Sequence, residues 1–127
     1  MSNPDEAIDY YTNKLGFDLI DDIDQGSKRW VTVQPKGASE SQIVLAKPSN
    51  KEQEKYIGDQ GGGRVWLFLQ TDDFWRDYNT MKDNGVNFKE QPREEPYGTV
   101  AVFEDLYGNL WDLIEPNENN RGLIKKQ

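Results

Sequence analysis

The sequence predicts a mixed α+β chain made of two tandem copies of one unit, and three observations carry that prediction. Helix and strand signals alternate along the chain without a long run of either. The punctuation then repeats: Gly16 and Gly85 close the two main helices at an offset of 69, and Pro48 and Pro116 close the two last strands at an offset of 68. A period of that length marks a duplicated module and not a solenoid. Finally, at 127 residues the chain is one domain's worth of sequence.

In order, Ser2-Asn3-Pro4-Asp5-Glu6 is a helix start: a polar cap, proline in the first turn, then acids favoured by the helix dipole. Ile8, Tyr11 and Leu15 follow at helical spacing, and Gly16 suits the C-terminal cap. Strands are expected over 17–22, 29–34 and 42–47, with a turn at Asp24-Gln25-Gly26-Ser27 and stops at Pro35 and Pro48. Residues 49–63 form a linker with a helical turn near Lys51 to Tyr56 and three closing glycines. No Gly-Lys-Ser/Thr follows those glycines, so they predict a flexible joint and not a phosphate loop. A strand over 65–71 leads to Asp72 and Asp73, either of which suits the cap of a helix with Phe74, Tyr78 and Met81 on one face. Gly85 ends that helix. Strands over 86–89, 99–104 and 110–115 complete the second copy, with a loop over 91–98.

The second copy has a strand before its helix, and the first does not, because Met1 already lies inside the first cap. Its absence leaves a sheet edge to be covered. The domain expected is residues 1–116, as modules 1–48 and 64–116, with a polar, loosely ordered tail over 117–127.

Composition narrows the chemistry. With 23 acids against 15 bases the net charge is -8, which argues against nucleic acid or an anionic membrane as partner. There is no cysteine and no histidine, which removes disulfides, thiolates, zinc–thiolate sites and every Ser-His or Cys-His nucleophile. Neither a membrane-length apolar run nor a signal peptide is visible, so a cytoplasmic protein is expected. Aromatics are 12% of a chain with only 35% hydrophobic residues, so large rings must supply much of the burial.

The last hairpin, F-E-D-L-Y-G-N-L-W-D-L-I-E-P over 103–116, turns on Gly108-Asn109, a pair that reaches left-handed angles cheaply. Alternation along its second strand sets Trp111 and Leu113 on one face and Leu110, Asp112 and Ile114 on the other. With D-E-A-I-D-Y-Y-T-N-K-L-G-F in the first copy and Thr71-Asp72-Asp73 in the second, this hairpin resembles the vicinal oxygen chelate superfamily. That group includes glyoxalase I, fosfomycin-resistance proteins, extradiol dioxygenases and bleomycin-resistance proteins.

The resemblance implies two tandem βαβββ modules that curve a mixed sheet into a cup, the first module lacking its opening strand. It also implies a divalent metal held by ligands from the first and last strands of each module. Carried over position by position, those ligands fall on Val44, Trp66 and Asp112, and the first has no counterpart. One Asp between Val and Trp does not make a metal site, so no metal, cofactor or catalytic residue is assigned.

The residues expected to line the cup are Trp30, Gln42, Trp66, Phe68, Glu104 and Asp112, an aromatic concavity with one central carboxylate. The leading expectation is a metal-free small-molecule-binding protein of the bleomycin-resistance type, taking a cationic or aromatic ligand, as a homodimer. Two alternatives stand beside it. One is a metal-dependent lyase, isomerase or thiol transferase using Asp112 and Glu104; the other is a structural module without a ligand. Asp112 itself has a structural alternative, accepting hydrogen bonds from Arg29, Arg64 or a loop amide.

Overall fold

The computed structural model describes residues 1–38 and 41–117. From residue 118 on, the expected polar tail lies outside the described residues.

Helix α1 (Pro4–Asp9) starts as the sequence requires: Asn3 Oδ1 accepts from the amides of Asp5 and Glu6 at 3.0 and 3.2 Å. It then widens into a π-helical turn over Tyr10–Lys14, which helical spacing does not reveal. The extra residue in that turn lets two neighbours, Tyr10 and Tyr11, both bury their rings against the sheet. Gly16, at φ +75°, ends it.

Strands β1 (Asp18–Asp24), β2 (Arg29–Gln34) and β3 (Ile43–Val44) form an antiparallel sheet in that order. The third strand is two residues long where six were expected. Val31 and Val33 of β2 face the core, while Thr32 pairs with Val44 and Trp30 with Ile23 on the other face.

The short helix α2 (Lys51–Glu54), capped by Asn50, occupies the linker. Beyond it, the chain docks on the last hairpin instead of hanging free. The Gln60 amide donates to Asn109 Oδ1 at 3.0 Å, and Gly58 lies so close that a Cβ there would sit 1.9 Å from the Tyr107 carbonyl oxygen. Only glycine fits.

The second sheet runs β4 (Val65–Gln70), β8 (Leu110–Pro116), β7 (Gly98–Glu104), β5 (Asn87–Phe88). β4 pairs with β8 in parallel and the others are antiparallel, so the sheet is mixed. β6 (Arg93–Glu95) pairs with β7 inside the stretch expected to be loop. Helix α3 (Phe74–Asp83) is capped by Asp73, and Glu115 Oε1 accepts the Phe74 amide at 2.7 Å, tying its start to β8.

The core lies between this sheet, the first sheet and the helices, and Trp111 is at its centre. Its ring meets those of Tyr11, Phe17, Trp66 and Phe103 at centroid distances of 5.8–6.2 Å. From Phe103 the ring contacts continue through Phe88 and Tyr78 to Phe74. Few aliphatics are needed because one aromatic chain crosses the molecule.

Candidate functional site: the open face around Asp112

The alternation expected in β8 is observed. Trp111 and Leu113 are buried on the helix side, each 1% exposed; on the other face Leu110 and Asp112 are partly exposed, while Ile114 is buried beside Val100 of β7. Across the sheet, Asp112 pairs with Phe68 of β4 and with Val102 of β7. Phe68 is 59% exposed, an unusual position for a ring unless something stacks on it. Glu104 pairs with Leu110 on the same face, two residues along the strand from Asp112.

Asp112 Oδ1 is buried and has no hydrogen-bond partner among the described residues. The structural alternative for this residue named Arg29, Arg64 or a loop amide as donors. Arg29 is instead engaged with Asp5 at 2.8 Å and Asp22 at 2.7 Å. Burial raises the Asp112 carboxyl pKa; Arg93 opposes the rise and Glu90 adds to it. Arg93 does not neutralise the site, because its donors are directed at Glu90 Oε1 (3.1 Å) and Glu95 Oε1 (2.7 Å).

Glu104 is occupied. Its Oε1 accepts from Asn87 Nδ2, and its Oε2 lies 3.7 Å from Lys89 Nζ. Among the described residues no group of three potential carboxylate or imidazole ligands converges. The divalent metal that the fold implies does not fit this donor set: one half-buried carboxylate with Trp66 and Val44 at the related positions.

Trp66 departs from the expected lining. Pairing register slips between Val65 and Leu67, so strict alternation breaks there, and the Trp66 ring turns edge-on to Trp111 and packs on the core. Trp30 is 42% exposed on the open face of the first sheet, where alternation from Val44 also carries Gln42. Among the described residues no hydrogen bond or ring contact links Trp30 or Gln42 to Phe68, Glu104 or Asp112. Strand register sets Phe68 and Asp112 side by side.

Sequence reasoning missed Arg93 and Glu90, which surround Asp112 electrostatically. They were legible only as surface charge, since the β6 pairing that places them is not encoded by periodicity. It also missed Asp105, which is 5% exposed and accepts from Tyr11 Oη, the Tyr107 amide, the Asn109 amide and Asn109 Nδ2. Gly108 alone takes the left-handed conformation, at φ +100°; Asn109 contributes its side chain instead.

No helix among the described residues is long and apolar enough to cross a membrane. The family model of the glyoxalase/bleomycin resistance protein/dioxygenase superfamily matches residues 1–113. An uncharacterized protein of Shewanella frigidimarina is 60% identical over 120 residues, covering 93% of this chain and 89% of its own. Among solved structures, UcmS2 superposes with a TM-score of 0.79 at 31% identity, over 89% of this chain and 90% of that one. TnmS3, an antibiotic binding protein from Streptomyces sp. CB03234, does so with a TM-score of 0.72 at 32% identity, over 91% and 89%. With its mixed sheet, its few helices and this match, the chain belongs to the glyoxalase/bleomycin resistance protein/dioxygenase superfamily.

Proposed function

We propose that this chain is a metal-independent small-molecule-binding protein of the cytoplasm, and that it holds a cationic or aromatic compound on the open face. One observation carries the reading: Asp112 keeps a buried carboxylate oxygen without a partner, directly across from an exposed Phe68 ring. A buried acceptor left unmade is costly, and a ligand ammonium or N–H would satisfy it while a ring stacks on Phe68. The likeness to TnmS3, described as an antibiotic binding protein, supports a ligand of drug size.

Calorimetry with ethidium and with a neutral aromatic compound of similar size tests this. Asp112→Asn should weaken ethidium by at least roughly tenfold, about 1.4 kcal/mol, and leave the neutral compound nearly unchanged. Equal binding of ethidium by both proteins would overturn the reading.

The same substitution has a stability signature of known sign. Because the folded pKa of Asp112 is raised, folding disfavours its ionised form. That penalty is fully present above the raised pKa and absent below the ordinary value of 3.8. Asp112→Asn should therefore unfold at higher urea than the wild type at neutral pH. The difference should shrink as pH falls through the raised pKa.

The homodimer belongs to this proposal. Trp30, Val44 and Ile23 on one sheet and Phe68 on the other leave apolar side chains 42–59% exposed, more than an acidic monomer gains by showing to water. Light scattering at micromolar concentration should give twice the 14.7 kDa chain mass, and a monomeric mass would remove the dimer from the reading.

A further inference from the structure

A cleft of about 150 Å³ opens where the glycine-rich end of the linker meets the last hairpin. Its walls include Gly58, Gly61, Gly63 and Gly108, so the backbone is bare on several sides. At Gly58 and Gly61 an added Cβ would lie 1.9 and 2.5 Å from a carbonyl oxygen, so close packing holds this part of the loop. Two cations, Arg64 and Lys89, line the cleft.

Three features give it a chemical preference. The Arg64 guanidinium makes no hydrogen bond or ion pair with any described residue, although it carries five donors in a fixed fork. The neighbouring amides of Gln60, Gly62 and Arg64 are spent on Asn109 Oδ1, the Asp59 carbonyl and the Gly61 carbonyl. Those of Gly61 and Gly63 find no acceptor among the described residues. Free amides on a glycine loop beside a free guanidinium are the donor set that binds oxyanions.

Two carboxylates also line the cleft, so its formal charges balance and its preference rests on which donors are free. Glu104 is held by Asn87 and Lys89, so its charge is largely matched. Asp59 is the remaining countercharge, and it forms no ion pair with Arg64.

We propose that this cleft is an oxyanion site, taking the phosphate or carboxylate group of a small molecule through Arg64 and the Gly61 and Gly63 amides. It differs from the Asp112 site in its donors and in the sign of its ligand, although Leu110 and Glu104 border both.

The test is amide NMR on the whole chain at low ionic strength, titrated with inorganic phosphate in one arm and acetate in the other. The arm with the tighter curve identifies which oxyanion is preferred. Shifts should concentrate at Gly61, Gly63, Arg64 and Gly108 and should weaken with added salt. Arg64→Gln should weaken the titration by roughly tenfold, and Asp59→Asn should tighten it by roughly threefold. Both positions are exposed, and an unchanged spectrum of the free variants establishes that they fold. An absence of shifts in both arms, an Arg64→Gln titration like the wild type's, or an Asp59→Asn variant that binds more weakly would overturn the proposal.

Discussion

Asp105→Ala should cost about 4 kcal/mol of folding stability, read as a lower urea midpoint with an unchanged slope. The carboxylate is 5% exposed and each oxygen accepts two hydrogen bonds: Oδ1 from the Tyr107 and Asn109 amides, both at 2.9 Å, and Oδ2 from Tyr11 Oη at 2.7 Å and Asn109 Nδ2 at 3.1 Å. Removing it strands several buried donors at once, each costing about 1–3 kcal/mol before relaxation. The loss reaches beyond the hairpin, because Tyr11 anchors the first helix and Asn109 Oδ1 holds the linker through Gln60. Tyr11→Phe should cost about 1.5 kcal/mol, and the double variant with Asp105→Asn should lose less than the sum. An Asp105→Ala loss under about 1 kcal/mol would show that the three segments are held together by packing alone.

Trp111→Ala should be comparably severe, at about 3–5 kcal/mol. This ring is 1% exposed and touches four others, two from the first half of the chain and two from the second sheet. Its removal opens a cavity that the surrounding rings, fixed by their own contacts, cannot close. Trp111→Phe should be much milder, about 1–2 kcal/mol, since the indole Nε1 is buried without a partner and its loss offsets part of the lost volume. Thermal unfolding of the two variants side by side measures the difference. Equal losses would place the cost in the missing N–H environment instead of the cavity.

Asp105 and Asp112 also show how differently two acids in one hairpin were legible. Alternation along β8 was enough to place Asp112 on the face opposite Trp111, because a strand's side-chain period is two and a Trp-x-Leu pattern sets its phase. Nothing comparable marked Asp105. Its role depends on Tyr11, 94 residues away, and on a π-helical turn that swings that tyrosine toward it. Trp66 failed for a related reason. Alternation predicted the open face, but beside one irregularity in the β4–β8 register the half-buried ring packs edge-on against Trp111 of the core.

The sequence by itself determined the order of the elements apart from β6 and the π-helical turn, the helix caps at Asn3 and Asp73, the buried face of β8 and the scarcity of metal ligands. These follow from local rules: backbone donors need caps, strands alternate, and a missing residue type cannot coordinate. Tertiary structure alone decided that the linker docks on the hairpin, that Arg93 is turned away from Asp112 by Glu90 and Glu95, and that Arg64 faces a glycine-lined cleft without a partner. Each of those is a meeting of segments distant in the chain. Their energies depend on distance and burial in three dimensions, which no periodicity along one strand or helix contains.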